Sequence, residues 1–280
     1  MPIVGRRARF VRVLSKAPED VNRKTIDQRQ RPYRGRGAVF KLWCCRDEEI
    51  LLEGPAGTGK TRGALEKAHY CAMKYPGARI LLVRKTRESM TQTVLVTYEE
   101  KVVPADSEIL EGPKRNLRQT YLYPNGSEIV VGGMDKSTKV MSSEYDMIIC
   151  FEATELTEED FENLTTRLRN GVMPYQQIIA DCNPGAPQHW LNKRAHTGKM
   201  TRLLSRHVDN PVYYNDSGFP TPAGERYIKK LSRLSGHRRA RLLQGKWAAA
   251  EGLVYEEFDP AIHVIRPFKI PPEWRRVRSI

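Results

Sequence analysis

Residues 49–77 read EILLEGPAGTGKTRGALEKAHYCAMKYPG, and the fold turns on them. A short apolar run, Glu49 to Glu53, enters a glycine-rich loop. Behind the loop, Ala64, Leu65, Ala68, Cys71, Ala72 and Tyr75 recur at helical spacing until Pro76-Gly77 ends the pattern. The loop itself, Gly54 to Thr61, fits G-x-x-x-x-G-K-[ST] at every fixed position. Between a strand and a helix this spelling makes a phosphate cradle. Glycines let the backbone curl until successive N–H groups converge, and the positive end of the following helix adds to them. The expected nucleotide contacts are Gly54, Pro55, Ala56, Gly57, Thr58, Gly59, Lys60 and Thr61. Lys60 reaches the β/γ-phosphates of ATP, and the Thr61 hydroxyl is placed to ligate Mg²⁺.

Working outward, similar strands alternate with helices. ARILLVR (78–84), MIIC (147–150), QQIIADC (176–182) and TRLLSRHV (201–208) read as strands, the first three as buried ones. TYLYPNGSEIVVGG (120–133) is two alternating runs around Pro124-Asn125-Gly126, a hairpin signal. TEEDFENLTTRLR (157–169) reads as a helix with Thr157 as N-cap, Asp160 completing a capping box, and Phe161, Leu164 and Leu168 as its buried stripe. Thr221-Pro222 opens another helix, GHRRARLLQGKW (236–247) a further one, and GAVFKLWCC (37–45) a short one. The fold class is α/β, a mainly parallel sheet with helices on both faces.

The chain has 280 residues, enough for one large α/β domain with appendages. No apolar run reaches the roughly 20 residues that span a bilayer, so a soluble, cytoplasmic protein with no membrane partner is expected. Five scattered cysteines without a C-x-x-C pair point to reduced, mostly buried thiols. Net charge is +14, and residues 1–46 hold 13 Lys/Arg against three Asp/Glu, so +10 of it sits in that arm. Such an arm suits a polyanion, or simply a solvated tail.

DMIICFEATEL (146–156) poses the chemical problem. A nucleotide hydrolase of this type usually ends the strand in two acids, one for Mg²⁺ and one for water. Here Phe151 stands in the first place and only Glu152 follows. Glu152 is placed to orient and polarise water. Three arrangements fit the spelling. Thr61, nucleotide oxygens and water hold Mg²⁺, with Glu152 assisting through a water. Alternatively, another acid such as Asp181 compensates from the end of its own strand. Or the site binds ATP without turnover.

EGPAGTGKT, ARILLVRKTRESM, FEATELTEEDFENLTTRLR, ADCNPGAPQHWLNKR and RARLLQGKWAAAEGLVYEEFD, in this order and spacing, resemble the large terminase subunit of tailed double-stranded-DNA bacteriophages, from about Arg31 onward. The resemblance implies an ASCE-type P-loop ATPase that drives viral double-stranded DNA through a portal into a preformed capsid. It also implies a C-terminal ribonuclease-H-like nuclease in the whole protein. The implied partners are double-stranded DNA without sequence preference, the portal protein, the small terminase subunit and further copies of the chain in a ring. The implied location is the cytoplasm of the infected bacterial host.

Carried over by position, Glu152 is the catalytic glutamate and a metal-site residue beside Thr61, and Asp181, Cys182 and Asn183 occupy the coupling motif. Coupling motifs of the family usually begin with small hydroxyl residues, so only Asn183 is expected to touch phosphate or water; the alternative is a turn-capping Asn before Pro184. Tyr33 and Arg34 are candidates for stacking and polar contacts to adenine. Candidates for the arginine finger or basic sensor are Arg62, Arg84, Arg87, Lys136 and Lys139, each of which could equally be a solvated charge.

The resulting division is a basic arm over 1–46, an ATPase core over 47–210, a helical lid or linker over 211–265, and the start of a truncated nuclease over 266–280. Glu256, Glu257 and Asp259 form too poor a carboxylate cage for two metals, so no nuclease activity is expected of these residues. Competing functions are a helicase, disfavoured by the single phosphate-loop domain, and a nucleotide-gated assembly module that uses ATP as ligand. DNA binding is expected to be phosphate-driven and to weaken steeply with salt.

Overall fold

In the computed structural model, residues 33–136, 140–249, 264, 266–269 and 271–274 are described. Most of the basic arm, Lys139, the tail acids Glu256, Glu257 and Asp259, and everything from Arg275 lie outside them. Seven strands form one sheet in the order β3-β4-β2-β5-β6-β1-β7. They are β1 Glu49–Glu53, β2 Arg79–Arg84, β3 Thr120–Leu122, β4 Glu128–Gly133, β5 Met147–Phe151, β6 Gln177–Cys182 and β7 Thr201–Leu204. All pairings are parallel except β3 with β4, the hairpin, whose turn closes through Gly126 N–H to the Tyr123 carbonyl at 3.0 Å.

Along the parallel strands, residues alternate between two cores. Ile50, Leu52, Ile80, Leu82, Met147, Ile149 and Phe151 pack with α1 (Gly37–Cys44) and α2 (Lys60–Lys74). Leu51, Leu81, Val83, Ile148, Cys150 and Ala180 pack on the opposite face with α5 (Glu158–Thr165) and α6 (Trp190–His196). Burial on both faces explains why these strands read as continuous apolar runs. Two short helices, α3 (Arg87–Thr91) and α4 (Val94–Thr97), connect β2 to the hairpin. All five cysteines are free thiols, three of them buried.

The capping box of α5 is present: Thr157 Oγ1 accepts from the Asp160 N–H at 3.0 Å, and Asp160 Oδ2 accepts from the Thr157 N–H at 3.1 Å. The helix stops four residues short of the predicted Arg169, and Leu168 instead bridges Tyr145. There the Tyr145 N–H donates to the Arg167 carbonyl at 2.8 Å, and next to it Asp146 lies fully buried at the foot of β5. Its carboxylate accepts from the backbone N–H groups of Arg79, Val172 and Met173 and from the Asn170 amide, at 2.7–3.0 Å. Four donors satisfy the buried carboxyl group and anchor residues 170–173, just beyond the helix.

After β7, the chain makes α7 (Pro222–Ser232), with Thr221 Oγ1 accepting from the Gly224 N–H at 3.1 Å, and α8 (Gly236–Leu242). The predicted helix over 236–247 ends early, and Gly245 sits at φ 68°. The segment returns to the core: Leu242 O accepts from Ala56 N–H at 3.1 Å, and Gly185 O from Ala248 N–H at 3.0 Å.

Candidate active site

The carboxyl ends of β1, β6 and β5 lie side by side, where open α/β sheets place their ligands. The cavity there, about 410 Å³, is lined by Ala56 to Arg62, Glu152, Asp181, Cys182 and Asn183, with Tyr33, Thr97, Lys101, Asn210 and Val212 on its rim. The phosphate loop runs from β1 into α2. Gly57 at φ 77° and Gly59 at φ 87° occupy the left-handed region. A Cβ on Gly57 would stand 2.6 Å from Tyr227, so both backbone angle and space demand glycine there.

Lys60 is 6% exposed, and its ammonium donates to the carbonyls of Gly54 (3.1 Å) and Pro55 (2.9 Å) and to Asn183 Oδ1 (3.1 Å). Burial lowers its pKa, and the charges of Asp181, Cys182, Glu152 and Glu53 oppose that shift. Thr61 Oγ1 donates to Asp181 Oδ2 at 2.6 Å. Asp181 is 3% exposed; burial raises its pKa, with Lys60 pulling the other way. In the sheet register Asp181 lies directly beside Phe151. Phe151 belongs to the apolar core, and the carboxyl group beside it, one strand over, holds the threonine hydroxyl.

Glu152 adopts φ 47°, ψ 49°, and among the described residues it alone is a non-glycine in the left-handed region. Such a conformation costs about 1–3 kcal/mol and concentrates at functional sites. Its carboxylate accepts no hydrogen bond among the described residues. Burial raises its pKa first and the neighbouring Asp181 charge second, while Arg84 and Lys60 lower it. A partly buried carboxylate with an elevated pKa and free lone pairs is suited to accept a proton from water.

The predicted basic residues separate. Arg62 lines the cavity, 4.2 Å over the Tyr33 ring, and its guanidinium also donates to Glu66 (3.3 Å) and the Lys101 carbonyl (3.1 Å). Arg84, at the end of β2, grips Glu155 through two hydrogen bonds of 3.0 and 2.8 Å and contributes charge to Glu152 and Asp181. Arg87 is not on the cavity wall; it binds Thr91 and the Arg118 carbonyl. Lys136 is exposed and away from the cavity, and Lys139 lies outside the described residues. Tyr33 is on the rim with its hydroxyl beside Gly59, but Arg34 is exposed and lines no part of the cavity. The cation stacked on Tyr33 is therefore Arg62, brought by α2.

Sequence reasoning missed Asn210 and His207. The Asn210 amide donates to the Gly57 carbonyl at 2.7 Å and His207 Nε2 to the Ala56 carbonyl at 2.9 Å, so the segment after β7 braces the loop from outside. About 150 residues separate the partners. No local signal announces such a contact; only the position of β7 beside β1 does.

Residues 46–224 match the family profile of phage terminase large subunits. The chain belongs to the phage terminase large-subunit family. Solved terminases share the fold. The large terminase of a thermophilic bacteriophage superposes with a TM-score of 0.63 at 17% identity, covering 85% of this chain and 60% of that protein. The same thermophilic-phage terminase has also been solved with ADP, with a TM-score of 0.57 at 18% identity, covering 84% of this chain and 59% of that one. The ATPase domain of the Thermus phage P74-26 large terminase superposes at 0.57 and 12% identity, covering 77% of this chain and 95% of that one. This terminase chain thus spans about three fifths of the length of the thermophilic-phage protein. No curated protein sequence matches it. Among the described residues no helix is long and apolar enough to cross a membrane.

Proposed function

We propose that the chain is the ATP-hydrolysing motor domain of a phage packaging terminase, driving double-stranded DNA into a procapsid. The observation that supports this best is the Thr61–Asp181 pair, facing the same cavity as Lys60 and Glu152. In this reading the loop amides and Lys60 hold the β- and γ-phosphates, and Asn183, now bonded to Lys60, contacts the γ-phosphate or the attacking water. Glu152 takes up the water's proton.

A hard divalent cation fits the donors present, a hydroxyl and a buried carboxylate at hydrogen-bonding distance. Mg²⁺ would be held by Thr61 and Asp181, with Glu152 contributing through water, and would offset the charge developing on the phosphates. Asp181 thereby supplies what Phe151 cannot. The arginine finger comes from Arg84, released from Glu155, or from a neighbouring copy in a ring. The portal protein, small terminase subunit and DNA are the proposed partners, in the host cytoplasm. Cleavage of DNA is not assigned to these residues.

The test is turnover. Glu152→Gln should keep ATP affinity within about threefold and lower kcat by a factor of about 10² or more, the range general-base groups supply. Equal turnover in the variant would remove Glu152 from the mechanism. Binding without turnover in the wild-type chain, with DNA present, would favour the nucleotide-gated module that Phe151 suggests.

A further inference from the structure

A second, open cavity of about 440 Å³ lies against the first, between α8 and the loop that follows β6. Asn183 lines both cavities. The other walls are Thr154, Pro184, Gly185 and His189 on the core side, and His237, Arg238, Arg241 and Leu242 on the α8 side. Two arginines and two histidines face this space, and no carboxylate lines it.

Its unengaged donors are two guanidinium groups and an amide. Arg238 is exposed and makes no ion pair or hydrogen bond among the described residues. Arg241 uses Nε and Nη2 on the Ala248 carbonyl, at 2.8 and 2.5 Å, leaving Nη1. His237 Nδ1 is buried without a partner among the described residues. His189 Nδ1 accepts from the Leu191 N–H at 3.2 Å, so Nε2 carries the proton and donates to the Thr154 carbonyl at 3.3 Å. The Asn183 Oδ1 is taken by Lys60, and its amide nitrogen has no acceptor among the described residues. A cavity rich in N–H donors and cationic charge, with no anion of its own, is complementary to an oxyanion.

We propose that this cavity binds a phosphate dianion. On the function proposed above, it is where the cleaved γ-phosphate rests after leaving the nucleotide, passing Asn183. The space is several times the roughly 30 Å³ that one water takes up in the liquid, enough for a hydrated phosphate. Occupancy would also reach the phosphate loop, because Leu242 on the cavity wall accepts the Ala56 N–H at 3.1 Å.

The experiment is calorimetric titration of inorganic phosphate into the ADP-saturated chain, with Arg238→Gln and Arg238→Lys beside the wild type. Phosphate should bind the wild type, about tenfold more weakly in Arg238→Gln, with partial recovery in Arg238→Lys; tenfold is the effect of about 1.4 kcal/mol, just below what one charge-assisted hydrogen bond supplies when fully desolvated and so suited to an exposed arginine. Equal phosphate affinity in all three chains would overturn the proposal. So would loss of ADP and phosphate binding together in Arg238→Gln, because the second cavity would then have no separate ligand. An unchanged phosphate isotherm with weakened binding of a duplex of about 20 base pairs would overturn it too, and would make Arg238 a DNA contact instead. If the wild type takes up no ADP, the proposed function fails by itself, and phosphate uptake that depends on Arg238 still supports the second site.

Discussion

Replacing Asp181 by asparagine should cost magnesium-dependent affinity while leaving stability nearly unchanged. The carboxylate is 3% exposed, and burial raises its pKa, so ionising it works against the fold. Asparagine has nearly the same shape, and its Oδ1 can still accept from Thr61, which now donates to the carboxylate at 2.6 Å. Lys60 loses a neighbouring charge but keeps its acceptors on Gly54, Pro55 and Asn183. Relief of the buried carboxylate and the charge lost beside Lys60 oppose each other, so the nucleotide-free variant should unfold within about 1 kcal/mol of the wild type. With Mg²⁺ the same change removes a charged ligand. A charge-assisted contact is worth about 1.5–3 kcal/mol, so the Kd for Mg·ATPγS should rise about 10- to 150-fold. In EDTA the two chains should differ by less than about threefold. Calorimetry with and without Mg²⁺ reads both arms. A variant that keeps the full magnesium dependence would show that Asp181 is a structural partner of Thr61 and nothing more.

Two further predictions concern acids outside the reaction. Glu66 beside Arg62 has its pKa raised from 4.5 to about 7, mainly by burial, with Arg62 opposing. The folded chain keeps a proton that the unfolded chain releases above pH 4.5, so stability falls as pH climbs from about 4.5 to 7 and then levels. The loss is on the order of 3 kcal/mol, and Glu66→Gln should flatten it; parallel urea midpoints for both chains at about pH 5 and pH 8 would refute this. Trp247 donates its indole N–H to Glu53 Oε2 at 2.7 Å, and Glu53 is 2% exposed with Arg202 on its other oxygen at 2.8 Å. Trp247→Phe keeps an aromatic ring and removes the donor, and should destabilise the chain by about 1–3 kcal/mol in urea titrations; no change would mean that water replaces the indole.

What the sequence made legible was local. The strand–loop–helix around Gly54 to Thr61, the turn at Gly126 and the Thr157 capping box each rest on residues within a few positions of one another, and all three stand where expected. What was hidden depends on register. The sequence left Asp181 as one of several ways to replace the acid missing at Phe151; that the two stand side by side follows from the alignment of β5 with β6, which no spacing along the chain encodes. The anchoring role of Asp146 was hidden for a similar reason, because its donors come from segments far apart in the chain. That Arg62 lies over Tyr33 while Arg34 lines no part of the cavity is a matter of side-chain placement that spacing does not encode. The strained Glu152 backbone gave no signal at all, since glutamate carries no preference for positive φ.

The most direct test of the account is calorimetric titration of ATPγS in the presence of Mg²⁺ into the wild-type chain and Lys60→Ala. Lys60 would give the phosphates a buried ammonium whose present acceptors are two loop carbonyls and Asn183. The account predicts stoichiometric uptake by the wild type and a Kd at least about tenfold higher in the variant, the loss of one charge-assisted contact. No uptake by the wild type, or equal uptake by both chains, would contradict it.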